Sequence, residues 1–290
     1  MKVSGFTFIR NAILYDYPIV EAITSILPIC DEFIVAIGHS DDQTTALINS
    51  INSPKIKIIP TIWDDTLRAG GRVLAVETDK AFAAIASDSD WCFYIQGDEC
   101  VHEKYLPIIK EAMELNLLDK RVEGLLLNYL HFYGSYDFIG TARKWYRNEI
   151  RIIRNNKNIS SFRDAQGFRI DDRKLNVKKI AAAVYHYGWV KHPEKQQAKA
   201  ETFNKLWHSD QWVEKNIPKV SGFDYSNVDG LKRFTESHPA VMKNRIAAIN
   251  WEFTVDPTNK KMKLKHQLAG YIENLTGWRI GEYKNYRIIK

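Results

Sequence analysis

Residues 91–99 read Trp91-Cys92-Phe93-Tyr94-Ile95-Gln96-Gly97-Asp98-Glu99. Five apolar and aromatic residues stop abruptly at a polar, glycine-containing, doubly acidic turn. An apolar run with no polar interruption is the pattern of a strand buried on both faces, and such strands belong to parallel sheets covered by helices. Further strand-like runs lie upstream, at Val3–Ile9, Glu32–Ile37 (EFIVAI) and Lys55–Ile59 (KIKII). Between these runs the spacing becomes helical. Ile19, Val20, Ile23, Ile26 and Leu27 follow Asp16 as N-cap and Pro18 in the first turn. A second helix is expected over Asp41–Asn52, and a third after Gly70-Gly71, with Val73, Val76, Ala81 and Ile85 among its apolar positions. A fourth runs from Glu103 to about Leu115. The β-α-β-α-β-α-β order predicts an α/β fold with a mostly parallel sheet flanked by helices. Sheets of this kind bind ligands beyond the carboxyl ends of their strands. Attention therefore falls on Arg10-Asn11, on Gly38-His39-Ser40-Asp41-Asp42 and on Gln96–Glu99.

From Val122 onward the pattern changes. GLLLNYLHFYGSYDFI (124–139), EIRIIRN (149–155) and AAVYHYGWV (182–190) read as further strands separated by polar loops, which suits a mixed-strand extension of the sheet. After His192 the chain turns helical, with helices expected over Glu194–Trp207, around Pro239–Trp251 and over Lys263–Leu275. Two regions follow: residues 1–190, and a basic, mainly helical region 191–290. The latter holds 18 Lys+Arg against 11 Asp+Glu, a net of +7, whereas the rest of the chain has a net of −1. This charge reads either as a solvated helical surface or as attraction to an anionic membrane or acceptor.

The 290 residues, 45% hydrophobic and 26% charged, exclude a disordered, collagen-like or low-complexity protein and suffice for one large domain or two modest ones. Aromatic residues make up 12%, with eight Trp and fourteen Tyr, a content that suits both core packing and sugar-binding surfaces. Cys30, Cys92 and Cys100 form neither a CxxC nor a mixed Cys/His spacing, so a reducing compartment without structural zinc is expected. The N-terminal apolar run is too short for a span and no later one reaches roughly 20 residues. The expectation is a cytoplasmic protein, with a peripheral position at the inner face of the membrane as the alternative. The pI of about 9.0 is unaccompanied by any nucleic-acid-binding motif.

Three elements carry candidate chemistry. Asp98, at a strand end beside Gly97, suits a divalent cation and its phosphate, or equally a helix N-cap together with Glu99. His186 lies in the aromatic strand Tyr185-His186-Tyr187-Gly188-Trp189. It is either a core histidine or a metal ligand beside a carboxylate. Asp164, in the loop Ser161-Phe162-Arg163-Asp164-Ala165-Gln166-Gly167-Phe168, is either a general base for a hydroxyl or a turn residue.

The order FIRN, EFIVAIGHSDDQT, WCFYIQGDE and HYGW resembles the family 2 nucleotide-sugar glycosyltransferases of GT-A fold, over about Val3–Trp189. AIGHSDDQT stands where that family has a pattern close to VDDGSTDGT, and QGDE where it has an acidic DxD-type motif. The resemblance implies an inverting, metal-dependent glycosyltransferase acting in cell-surface polysaccharide or glycan assembly. Asp98 and His186 would hold Mg²⁺ or Mn²⁺ against the donor diphosphate, and Asp164 would deprotonate the acceptor hydroxyl, with Glu99 or His131 as the alternative base. Arg10, Asn11, Asp41, Asp42, Gln96 and Gly97 would line the nucleotide-sugar pocket. Glu99, Gln166 and Trp189 would lie at the acceptor or behind the ligands. Trp145, Tyr146, Trp189 and Trp207 are candidates for stacking on sugar rings. The implied partners are a nucleotide-diphosphate sugar and a glycan or lipid-linked saccharide, with no nucleic acid. The last third would cover the acceptor, mediate a homo-oligomer or dock on a membrane. Ile37, Gly38 and Gln96 depart from the family's acids. They motivate the alternative of a non-catalytic glycan- or nucleotide-binding protein. A sugar-phosphate nucleotidyltransferase would need a Gly-rich phosphate loop after the first strand, where FIRNAILYD has no Gly, and ranks below both.

Overall fold

The computed structural model describes residues 1–226, 228, 230–253, 270, 271, 273, 275–277, 279 and 281–290. The first part alternates as expected: β1 (Val3–Ile9), α1 (Ile19–Ile26), β2 (Glu32–Gly38), α2 (Thr44–Asn49), β3 (Ile56–Thr61), α3 (Arg72–Ala83) and β4 (Trp91–Tyr94). The strands pair in parallel in the order β3-β2-β1-β4. Alternate side chains point to opposite faces, so β2 and β4, covered on both, are apolar almost throughout, whereas β3 at the edge is partly exposed. Phe33, Val35 and Ile37 of β2 and Trp91 and Phe93 of β4 face a core layer with Ile19, Ile23 and Ile26 of α1. Ile34, Ala36, Cys92 and Tyr94 face the opposite layer with Val73, Leu74, Ala81 and Phe82 of α3.

The chain then continues through β5 (Glu99–Val101), α4 (Leu106–Leu115), β6 (Gly124–Tyr133), β7 (Ser135–Gly140) and β8 (Asn148–Arg154). Next come β9 (Ile159–Phe162), β10 (Gly167–Ile170), β11 (Arg173–Lys174) and β12 (Asn176–Trp189). After these, α5 (Pro193–Lys205), α6 (Asp210–Asn216), β13 (Leu231–Arg233), α7 (Lys243–Ala247) and β14 (Arg287–Ile288) complete the described elements. β8 joins β4 antiparallel and β6 joins β8 antiparallel, giving the mixed extension of an 11-stranded sheet. β12 runs parallel to β6 and antiparallel to β5, so it is held between them. A separate three-stranded sheet, β11-β10-β9, carries the Arg163–Gln166 turn.

Three local expectations are corrected. Asp16 is no N-cap: it sits at φ 50°, α1 begins after Pro18, and no side chain caps it. The Asp41–Asn52 helix shortens to Thr44–Asn49, because the Asp42 carboxylate takes the Thr44 amide and the Ile13 and Leu14 amides across the loop. The Pro239–Trp251 stretch yields only the five-residue α7 after one tight turn. Most of the expected Lys263–Leu275 helix lies outside the described residues. Cys30, Cys92 and Cys100 are all buried and free. Among the described residues no helix is long and apolar enough to cross a membrane.

Candidate active site

β2 lies on one side of β1 and β4 on the other, so the connections leaving β1 and β4 diverge and open a crevice at their carboxyl ends. A cleft of about 610 Å³ occupies that place. Arg10, Asn11 and Asp41 line it from the ends of β1 and β2, Gln96, Gly97 and Asp98 from the end of β4. Asp164 and Gln166 come from the β9–β10 turn, His186, Gly188 and Trp189 from the end of β12, and Gln196, Lys199 and Phe203 from α5.

The loops that follow β1 and β2 are tied to each other. Asn11, at φ 54°, donates through Nδ2 to Asp41 at 3.2 Å and accepts the Asp41 amide at 2.7 Å. Arg10 pairs with Asp65 at 2.9 Å and lies over the Trp63 ring. Asp42 does not line the cleft; its carboxylate is spent on loop amides. Gln96 donates to the Ala165 carbonyl at 3.3 Å, fastening the Asp164 turn to the end of β4.

Asp98 and Glu99 are adjacent yet separate in role. Glu99 is fully buried and leaves the cleft: Arg151 Nε and Nη2 grip it at 2.8 and 2.6 Å, and Tyr129 donates its hydroxyl to it. The Gln96 amide also donates to Glu99, at 3.1 Å, which shapes the turn that presents Asp98. Glu99 is thus neither an acceptor contact nor an alternative base.

Register places His186 opposite Glu99 on β5 and opposite His131 on β6. His131 Nε2 lies 3.0 Å from the Tyr146 carbonyl, which can only accept, so His131 carries its proton there. Burial, reinforced by His186, pushes the His131 imidazole well below its usual range, leaving Nδ1 bare to accept from His186 Nδ1 at 3.2 Å. His186 is also pushed down by burial. Its proton therefore sits on Nδ1, and its Nε2 lone pair lies 3.7 Å from Asp98 Oδ1. His131 is buried out of the cleft and orients His186 instead of serving as a base.

These two electron-pair donors, with no proton between them, could share a cation. A carboxylate oxygen and an imidazole nitrogen suit Mg²⁺ or Mn²⁺, and His131 is the partner that fixes a ligating histidine's tautomer. Gly188 keeps the space open: a Cβ there would lie 2.5 Å from His186 Nε2 and 2.7 Å from Asp98 Oδ2. Among the described residues no three His, Cys, Asp or Glu side chains converge on a metal position. Two protein ligands match an ion that shares its shell with substrate phosphates and water.

Sequence reasoning missed Lys199. Its ammonium lies 3.0 Å from Asp98 Oδ2 and 3.2 Å from the Gly188 carbonyl, over the Tyr17 ring. Burial opposes its charge, but Tyr17 and Asp98 hold it above its ordinary pKa. Burial alone would raise Asp98; the Lys199 ammonium beside it instead holds that carboxyl far below the usual range. Lys191 packs on the other side, fully buried, donating to the Asp16 carbonyl over the same ring. Burial and the Lys199 charge push it well below its ordinary value.

On the opposite wall Asp164 is half-buried, and burial raises its pKa. Gly71, in the left-handed region at φ 70°, lets the start of α3 pass beneath it; a Cβ there would meet the Asp164 Cβ at 2.9 Å. Glu149 of β8 also lines the cleft and was missed. Its Oε2 is buried without a hydrogen-bond partner, and burial pushes its pKa up to about 8. The signal was its spacing: Glu149 and Arg151 are charges at i, i+2 within the buried stretch 149–153, whose other residues are all Ile. Of the stacking candidates, Tyr146 and Trp189 line the cleft. Trp145 packs on His131 and Trp189, and Trp207 lies under Gly71.

No protein-family model and no curated protein matches the chain. Among solved structures it is similar to S. aureus TarS, 15% identical over 70% of this chain and 39% of that one, with a TM-score of 0.38. The 1–349 portion of TarS in complex with UDP is 13% identical over 76% of this chain and 68% of that one, TM-score 0.39. Glucosyl-3-phosphoglycerate synthase from Mycobacterium tuberculosis, in complex with Mn²⁺, UDP and phosphoglyceric acid, is 18% identical over 45% and 43%, TM-score 0.31. The chain thus spans less than half of the longer TarS chain and of the synthase. The architecture is α/β, a helix-flanked sheet with a parallel β3-β2-β1-β4 half and a mixed-strand extension, as the sequence led us to expect.

Proposed function

We propose that the chain is a nucleotide-sugar glycosyltransferase that transfers with inversion to a hydroxyl acceptor. The observation that carries this reading is the pair of bare donors, Asp98 Oδ1 and His186 Nε2, 3.7 Å apart at the β1/β4 switch point. They face a cleft whose other wall holds a carboxyl of raised pKa, Asp164. Asp98 and His186 would hold Mg²⁺ or Mn²⁺, which when bound neutralises charge growing on a departing nucleoside diphosphate. Arg10, Asn11, Asp41, Gln96 and Gly97 would seat the nucleotide and its sugar. Asp164 accepts the acceptor's hydroxyl proton as that oxygen attacks the anomeric carbon from the face opposite the leaving group. A carboxylate whose affinity for protons is raised by burial suits that task. Tyr146 and Trp189 offer ring faces to a saccharide, and Gln166 steadies Asp164 at 3.3 Å.

The region 191–290 contributes to this site through α5 and would also cover the acceptor. A glycan or lipid-linked saccharide in cell-surface polysaccharide assembly is the acceptor class we favour, met in the cytoplasm or at the membrane's inner face.

The test is thermal unfolding against a panel of nucleoside diphosphates, each with Mn²⁺, Mg²⁺ or EDTA. A ligand at 100 times its dissociation constant stabilises by about 2.7 kcal/mol. A shift with one diphosphate that EDTA abolishes is the expected result. Absence of a shift with every diphosphate overturns the reading.

A further inference from the structure

Lys199 stands where a divalent cation would have to act. Asp98 offers one carboxylate, and the ammonium already engages it at 3.0 Å while the Gly188 carbonyl, 3.2 Å away, takes a second of its protons. The Tyr17 ring faces the same ammonium at 4.9 Å, so the group is seated by three partners. Both members of the pair are about nine-tenths buried, where water screens poorly and two positive charges sharing one carboxylate repel strongly. His186 Nε2 lies 3.7 Å from Asp98 Oδ1, whereas Lys199 holds the other carboxylate oxygen, Oδ2. The carboxylate is therefore already neutralised by a cation of the protein's own.

We propose that Lys199 is a resident cation of this site: it competes with the divalent ion for Asp98, and the donor diphosphate admits the ion by drawing the ammonium onto its own oxygens. The inference rests on reading the cleft as a nucleotide-diphosphate site. Its consequence is that the bare protein discriminates against free metal, and metal and diphosphate strengthen each other's binding. Such coupling is reciprocal and spans about 5–150-fold in characterised systems. Lys199 is a positioning residue in this scheme, passing from Asp98 to the incoming phosphates, and its α5 backbone need not move.

The experiment measures Mn²⁺ binding to the full chain, without nucleotide, from the electron paramagnetic resonance signal of the free aqua ion. Wild type, Lys199→Gln, Lys199→Arg and the double variant Asp98→Asn/Lys199→Gln are compared. Removing the ammonium should tighten Mn²⁺ binding about tenfold or more. Lys199→Arg should bind as weakly as wild type, and the double variant should lose what Lys199→Gln gained. Lys199→Met, whose stem still covers Tyr17, reads the same quantity should Lys199→Gln fold poorly. Equal Mn²⁺ affinity in wild type and both charge-removing variants overturns the competition while leaving the metal assignment standing. Absence of Mn²⁺ binding in every variant overturns both.

Discussion

Glu149 should make the protein less stable as the pH rises through neutrality. Its carboxyl is buried, one oxygen lacks any hydrogen-bond partner, and neighbouring Glu99 and Asp164 add to the burial that pushes its pKa to about 8. Unfolded, the same group titrates near 4.5. Between these values the native state holds a proton that the unfolded chain has released, so the contribution is fully present below pH 4.5. It declines as pH rises and is gone above about pH 8. At roughly 1.4 kcal/mol per pKa unit, the full displacement from 4.5 to about 8 corresponds to about 5 kcal/mol. Water entering on ionisation reduces this, so the measured difference should fall below that figure. Glu149→Gln removes the titration and keeps the shape. Urea denaturation of both proteins at intervals from pH 4.5 to 8.5 gives the difference curve, which should rise with pH in favour of the variant. Parallel curves, with a difference constant to about 0.5 kcal/mol, would refute the reasoning, and Glu149 would then be ionised in place beside Arg151.

Three further outcomes follow from the geometry. Asp164→Asn should leave the diphosphate-induced thermal shift unchanged and lower transfer by about 10²–10⁴-fold; surviving transfer would make Asp164 a turn residue. Gly188→Ala places a methyl group between Asp98 and His186, so the metal-dependent part of the thermal shift should vanish. A shift equal to that of wild type would move the ion elsewhere. Arg151→Met strands the Glu99 carboxylate in the core and should cost roughly 3–5 kcal/mol by urea denaturation. Glu99→Gln on that background should recover part of the loss, and failure to recover any would locate the effect in packing.

The parallel half of the fold was legible because burial on both faces leaves its trace in composition. Strands such as Phe33–Ile37 and Trp91–Ile95 show no polar residue, and the intervening helices repeat their apolar positions every three to four residues. The site could be located from the same runs, since each ends where the loops converge. What the sequence did not disclose depends on pairing between distant segments. That His131 and His186 meet is a fact of register between strands 55 residues apart, and register carries no local signature in strands buried on both faces. Lys199 was invisible for a different reason. A lysine in a helix such as Glu194–Trp207 ordinarily faces water, and only the approach of α5 to Asp98 turns it inward. Asp16 misled because an Asp ahead of an apolar helix suggests a cap, whereas here Arg245 takes its carboxylate and Lys191 its carbonyl.

The Asp98-Glu99 pair shows how two adjacent acids divide between chemistry and structure. Where extended chain begins, consecutive side chains leave on opposite sides, so one of the two must face the cleft and the other the core. A carboxylate sent into the core is tolerable only with a full set of partners. Glu99 has them in the two-pronged grip of Arg151, the Tyr129 hydroxyl and the Gln96 amide. The last of these bonds reaches back into the turn that holds Asp98. The buried ion pair therefore fixes the backbone from which the cleft-facing acid projects. Arg151 also stacks its guanidinium against Tyr94 and Tyr129, joining β4, β6 and β8. The position of Asp98 relative to His186 is thus set from beneath by Glu99 and Arg151, and from the side by the pairing of β12 with β5 and β6. A turn with a single cleft-facing carboxylate can present it accurately, because its neighbour's negative charge is spent on holding the turn.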